Sequence, residues 1–297
     1  MQKNNNNIEE ELISLNIIQK EFVKTIYPRT RDNASIQVNQ CQKSNVIFLS
    51  ANEYINDQRY EEKKFIDYWG GGAREDALKK TYVDDKRRFE QFSELIRDKE
   101  YLDFGTGLGG VLDLFKPIAK RVHGIELQAE IMQYLKEHQN YSMFNSIDAI
   151  PSDLKFDVVS LFHVFEHLSK PLEYLKKIRN SLKDSGKIII EVPHANDVLI
   201  SLFELEEFKK FTFWSEHLIL HTRNSITIYL KEAGFKNIIV SGFQRYPLAN
   251  HLYWLSKKKP GGHIEMAYFQ SRNLNDAYSD MLNSLDKTDT LIAIAEK

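Results

Sequence analysis

Asp103, Gly105, Thr106, Gly107, Gly109 and, some way downstream, Glu126 have the types and spacing of a site for a ligand that carries a ribose. Glycines at alternate positions admit positive φ and leave no Cβ in the way, so the backbone can lie against a bound group. A carboxylate closing a second strand roughly 20 residues later accepts two hydrogen bonds from a ribose diol; Glu126, followed by Leu127, stands there. Gly105, Gly107 and Gly110 also satisfy the dinucleotide pattern G-x-G-x-x-G. Asp103 separates the readings. A carboxylate two residues before the turn repels a pyrophosphate and attracts a ligand with ammonium or sulfonium groups.

A second set of residues suits proton removal. Seven of the nine histidines lie at or beyond residue 163. His163 and His194 end two apolar runs, and Glu216 and His217 are adjacent further on. A histidine with a pKa near neutrality is the best-matched base for a hydroxyl acceptor, so His217 is the first expectation, with Glu216, His163 and His194 behind it. The run His163-Val164-Phe165-Glu166-His167 also matches H-x-x-E-H, a zinc-protease pattern. That chemistry needs both histidines on one helical face. The first of them ends a strand, so no metal is expected.

Leu102-Asp103-Phe104-Gly105-Thr106-Gly107-Leu108-Gly109-Gly110 closely resembles the first motif of the class I S-adenosylmethionine-dependent methyltransferases. Phe156-Asp157-Val158-Val159, followed by His163-Val164-Phe165-Glu166-His167-Leu168, resembles their fourth. The resemblance implies S-adenosyl-L-methionine as cofactor, with His163 under its methionine end and an acid such as Asp148 near the adenine amino group. Glu216-His217-Leu218, then a helix ending Ala233-Gly234-Phe235, resembles sugar C-methyltransferases and small-molecule O-methyltransferases. The pattern Gln244-Arg245-Tyr246 through Leu255, with Pro260-Gly261-Gly262-His263, resembles methyltransferases of bacterial surface-polysaccharide clusters. These resemblances imply O-methylation of a sugar, nucleotide-sugar or glycan precursor. The alternatives are a C- or N-methyltransferase of a small molecule and a cofactor-binding partner subunit without catalysis.

Such a site needs a sheet beneath it. Strands are expected near 100–104, 121–126, 142–147, 156–162, 187–194, 237–243 and 290–295, alternating with helices near 109–118, 129–138 and 171–182. That is the βαβ rhythm of an open, Rossmann-like α/β sheet of seven strands, with the last strand antiparallel by the resemblance. A helix from Ala73 to Ile96 leads into it, and its Asp84-Asp85-Lys86-Arg87-Arg88 run reads as solvated surface, the alternative being an arginine that reaches a substrate. Residues 73–297 form the expected methyltransferase domain, with insertions near 196–220, where Val198 to Lys210 has a helical pattern, and 244–288. Trp214, Arg245, His251 and His263 in these insertions are expected acceptor contacts, together with His167.

Residues 1–72 read as an N-terminal appendage. Ile8, Leu12, Leu15, Ile18, Phe22 and Ile26 predict an amphipathic helix, and Ala34–Val38 and Asn45–Ser50 predict two strands around a turn holding Cys41. The segment resembles a zinc-ribbon module of sugar-modifying methyltransferases. Ser44 stands where a second cysteine would, so it reads as a metal-free relic. Tyr68 and Trp69, before three glycines, either wall the site or anchor the appendage.

Of the 297 residues, 42% are hydrophobic and 28% charged, an ordinary soluble composition with room for a large core. A formal net charge of −2 supplies no general pull towards nucleic acid or anionic membrane. No run reaches membrane-spanning length and the start lacks a signal-peptide core, so a cytoplasmic location is the expectation. The lone Cys41 excludes an intramolecular disulfide. Homo-oligomerisation is left open.

Overall fold

β4 (Glu100–Phe104) is buried along its whole length and carries the glycine turn at its end. In the computed structural model, which describes residues 8–51 and 74–297, it pairs in parallel with β5 (Arg121–Ile125) and β7 (Phe156–Phe162). β6 (Ser142–Phe144) extends the sheet beyond β5, and β8 (Leu182–Pro193) extends it beyond β7. β11 (Thr290–Glu296) then runs antiparallel between β8 and β10 (Lys236–Phe243). The order β10-β11-β8-β7-β4-β5-β6 is the expected seven-stranded α/β sheet. Chain order reverses between β4 and β7, which opens a crevice at their carboxyl ends.

Apolar residues cover both faces of this sheet. On one, Leu175 and Ile178 of the helix Pro171–Ser181 pack with Ile226, Tyr229 and Leu230 of the helix Arg223–Glu232. On the other, Phe92 and Ile96 of the helix Arg74–Ile96 pack with Leu112 and Phe115. Each such side chain contributes about 1.5–3 kcal/mol of burial, which fixes the helices and hence the loops over the crevice. Arg223–Glu232 starts on a reciprocal cap: Thr222 and Ser225 each accept from the other's backbone N–H.

The appendage departs from expectation. Its helix covers only Ile8–Ser14, Asn16 turns left-handed at φ 54°, and β1 (Val23–Tyr27) follows. β1, β2 (Val38–Cys41) and β3 (Ile47–Leu49) form an antiparallel sheet whose fourth strand is β9, Ile219–Leu220, from the other end of the chain. Cys41 therefore ends a strand and is buried. The expected helix from Val198 to Lys210 is broken into Val198–Ser201 and Glu206–Thr212, with Glu204 left-handed between them. The insertion after β10 carries helices at Leu248–Lys257, Gly262–Glu265 and Arg272–Ser284. Tyr68 and Trp69 lie outside the described residues. Among those described, no helix is long and apolar enough to cross a membrane.

Candidate active site

Gly105, Gly107 and Gly109 all take positive φ, at 80°, 52° and 76°. A Cβ on Gly105 would sit 2.4 Å from Val164 Cγ2, so both conformation and close approach demand glycine there. Glu126, buried at the end of β5, locks the turn. Its Oε2 accepts from Gly107 N at 2.8 Å and its Oε1 from Gln128 N at 2.9 Å. Burial raises its carboxyl above the ordinary range, against those amides. Arg74 ties the far side, donating to Leu108 O at 2.8 Å and pairing with Asp113 at 2.7 Å.

Asp103 lies 4% exposed beneath this turn. Ser160 Oγ, opposite it on β7, donates to Oδ1 at 2.6 Å, and Thr106 Oγ1 approaches Oδ2 at 3.3 Å. Burial pushes its carboxyl up to about 7, with Asp85 adding to the rise while Ser160, Arg88 and Thr106 oppose it. A cationic ligand binds the ionised form, which is the minority below about pH 7, so affinity for it rises with pH. Calorimetry with S-adenosylmethionine should show affinity about tenfold higher at pH 8 than at pH 6, and Asp103→Asn should flatten that slope. A parallel slope in the variant would remove Asp103 as its source.

The other wall is built on the residues after β7. His163 is left-handed at φ 54°, which ends the strand and starts the short 3-10 turn Phe165–His167. The H-x-x-E-H run is thus no continuous helix, and its histidines do not share a helical face. His163 Nδ1 lies 3.2 Å from Glu166 Oε1 and its Nε2 lies 3.3 Å from Glu191 Oε1. Burial opposes the charge on His163, but these carboxylates raise its pKa. Burial works against ionised Glu166 too, yet His167 and His163 bring it down to about 2. Glu166 O accepts from Leu218 N at 2.9 Å, and this backbone bond brings His217 beside His167, with ring centroids 5.0 Å apart. The appendage braces the same segment: Asp32 accepts from Ser215 N at 3.0 Å, and Arg31 lies 4.7 Å over the Trp214 ring.

One cavity of about 630 Å³ runs between these walls. Asp103, Gly105, Thr106, Gly107, Glu126 and Leu127 line its first half. His163, His167, Trp214, His217, Arg245, His251 and His263 line the second. Four expected residues are placed elsewhere. Gly109 caps the helix Gly110–Phe115 beneath the surface, and Gly110 meets the cavity in its stead. Asp148 is turned outward by the 3-10 turn Ile147–Ala149 and pairs with Lys177 at 2.8 Å, so Ser146 and Ile147 form the wall there. His194 is buried behind the cavity with Nδ1 2.9 Å from Thr288 O, and burial lowers its pKa to about 4. Glu216 is buried beneath the surface that His217 presents. Burial also lowers His217 to about 3, with His167 adding to the effect, a poor match for proton removal near neutrality.

Charged residues expected on the solvated face of Arg74–Ile96 turn inward instead. Arg87 grips Glu191 of β8 with two bonds of 3.0 and 2.8 Å, Arg88 adds two of 2.7 and 3.3 Å, and Asp84 pairs with Arg245. Asp84, Asp85 and Arg88 line the cavity. The signal for this was Glu191 itself, an acid inside the apolar run Ile188-Ile189-Ile190-Glu191-Val192 that needs a buried partner.

A family model described as a methyltransferase domain matches residues 77–240, just over half of the chain. The chain belongs to this methyltransferase family. Methyl transfer needs a methyl donor, and the residues present fit S-adenosylmethionine: a buried acid, Glu126, would take the diol, the glycine turn gives a cradle, and Asp103 would face the cationic end. The cavity volume also lies within the roughly 300–1,000 Å³ usual for ligand pockets. The mitochondrial ubiquinone biosynthesis O-methyltransferase of Candida albicans is 28% identical over 157 residues, covering 48% of this chain and 45% of that one. The tRNA U34 carboxymethyltransferase of Pseudoalteromonas atlantica is 24% identical over 165 residues, covering 52% and 49%. The chain thus spans about half the length of these curated relatives. The complex of the Haloferax volcanii Trm112 methyltransferase activator with a methyltransferase shares the fold at a TM-score of 0.53 and 15% identity, covering 79% of this chain and 98% of that one.

Proposed function

We propose that this methyltransferase methylates a hydroxyl of a small, ring-bearing acceptor. The observation that carries the reading is the continuity of the cavity from Glu126 to His217, with Phe208, Phe211, Trp214, Tyr246 and Trp254 walling its far half. Aromatic faces hold flat rings, and the C–H faces of sugars, by area and edge contacts. Bound S-adenosylmethionine supplies a methyl carbon open to in-line displacement. Glu126 and the glycine turn fix the donor's ribose end, Asp103 offsets its positive charge, and the aromatic walls set the acceptor oxygen behind the methyl. Alignment of this kind carries most of such a reaction.

Two of the curated relatives are O-methyltransferases by name, which supports a hydroxyl over an amine. The sugar or nucleotide-sugar acceptor implied by the sequence resemblance is the competing arm within the same chemistry. Methyl-labelled donor offered with phenols, nucleotide sugars and small amines in parallel separates them. Label is expected in a methyl ether, with phenols ahead of nucleotide sugars. Label only in amine or carbon products, or donor binding with no turnover on any arm, would overturn the reading.

A further inference from the structure

We propose that Glu166, His167 and His217 form a site for a divalent cation of the zinc class at the acceptor end of the cavity, with one coordination position open to the acceptor oxygen. The inference rests on the hydroxyl-methylating reading and deepens it. One ligand atom from each residue lies within 4.8 Å of the other two. Glu166 Oε1 is 3.8 Å from His167 Nε2, and the two imidazoles meet edge to face at 71° rather than stacking. Zinc bonds of about 2.0–2.2 Å place tetrahedral ligand atoms about 3.3 Å apart, so small side-chain rotations close the cluster. Two histidines and one carboxylate with a fourth position open is a donor set suited to catalytic zinc.

Two further observations point to a ligand. Glu166 is fully buried, and its Oε2 has no hydrogen-bond partner; His217 Nδ1 is buried in the same condition. A buried carboxylate oxygen left in this way is costly, and a cation between Glu166 and the two rings satisfies both atoms. His167 and His217 line the cavity while Glu166 lies behind them, so the open position faces the acceptor. The surroundings hold the ligands in place: His163 Nδ1 at 3.2 Å from Glu166 Oε1, and Leu218 N on Glu166 O. Such outer contacts orient metal ligands.

The site answers a gap in the proton path. His163 Nδ1 is held by Glu166 at 3.2 Å, and Glu191 lies 3.3 Å from its Nε2 without a hydrogen bond, so two carboxylates already flank that ring. A cation on the acceptor oxygen lowers the hydroxyl pKa. The proton passes to solvent, the oxygen forms its bond to the methyl carbon, and the carbon–sulfur bond breaks with its electron pair passing to sulfur. The products are the methyl ether and a neutral thioether.

The test uses the full chain stripped with a chelator, titrated with Co²⁺ in visible absorption and with Zn²⁺ in calorimetry. One equivalent of Co²⁺ should give the intense bands of a low-coordinate centre, and Zn²⁺ should displace it. His217→Ala and Glu166→Gln should each weaken Zn²⁺ by more than roughly 100-fold while S-adenosylmethionine affinity holds within about twofold. Urea melts of both variants identify any folding failure, and two ligands tested separately keep the result decisive. No stoichiometric binding to the parent protein, or equal Zn²⁺ affinity in both folded variants, overturns the site. Neither readout uses turnover, so methyl transfer to a hydroxyl stands or fails separately on the label assay.

Discussion

Glu126→Ala is expected to weaken S-adenosylmethionine binding by about 100-fold or more. Two hydrogen bonds from a diol to a buried carboxylate are worth about 1.5–3 kcal/mol each, and every 1.4 kcal/mol is tenfold in affinity. The loss is compounded in the free protein. Gly107 N and Gln128 N both donate to this carboxylate, and truncation leaves each amide to find another acceptor, at about 1 kcal/mol or more if it stays buried. The cradle therefore loosens as its ligand contacts vanish. Glu126→Gln should fall between the two, since its NH₂ must face one of those amides while its oxygen serves the other. Calorimetry reads the affinity directly, and the stabilisation of the melt by saturating donor should shrink in step with it. An alanine variant that binds the donor as the parent does would remove the diol from Glu126 and the donor from this cavity.

The cradle was legible because its signal is local. Strand, glycine turn, helix and a second strand closed by an acid lie within a short stretch, and each demand on a residue comes from its sequence neighbours. Asp103 shows the limit of that reading. Its type and place were visible, but its elevated pKa comes from burial opposite Ser160, a neighbour across the sheet. The appendage helix stops at Ser14, short of its apolar pattern, for a related reason. Ile18, Phe22 and Ile26 keep helical spacing, yet Val23–Tyr27 pairs with Val38–Cys41, and a tertiary partner overrides a periodic pattern. The cluster of Glu166, His167 and His217 was hidden altogether as a cluster. About fifty residues separate its halves, and their meeting depends on one bond from Leu218 N to Glu166 O and on a sheet that takes β9 from the far insertion. Asp148 failed at the finest scale: one short turn decides which way its side chain points, and spacing does not encode that.

A fully buried carboxylate, Glu191, yields the largest expected effect on stability. Glu191 has no exposed surface and receives Arg87, Arg88 and His163 at once. Burial resists its ionisation, but Arg88, His163 and Arg87 hold it well below the usual carboxylate range. Glu191→Gln keeps the shape and removes the charge, leaving Arg87 and Arg88 without their common anion and dependent on Asp84 at 3.5 Å and Asp85 at 3.3 Å. Breaking a buried pair from one side costs about 3–5 kcal/mol, because the remaining charge stays desolvated. The urea midpoint should fall accordingly with an unchanged slope. Pairing the change with Arg88→Met should recover part of the loss, since the double variant buries one cation fewer beside the neutral amide, while Asp85 loses its 3.3 Å partner; the cycle of four proteins isolates that coupling. The penalty should also grow locally, because Glu191 N–H and C=O positions tie β8 to β7 beside His163, whose backbone N donates to Glu191 O at 2.8 Å. Loss of the anion therefore loosens the strand end that shapes the acceptor wall, and hydrogen exchange at His163 and Val164 should quicken ahead of the global transition. Full retention of the midpoint in Glu191→Gln would mean that the arginines relax to solvent at no cost, and the inward-turned face of Arg74–Ile96 would then carry no structural load.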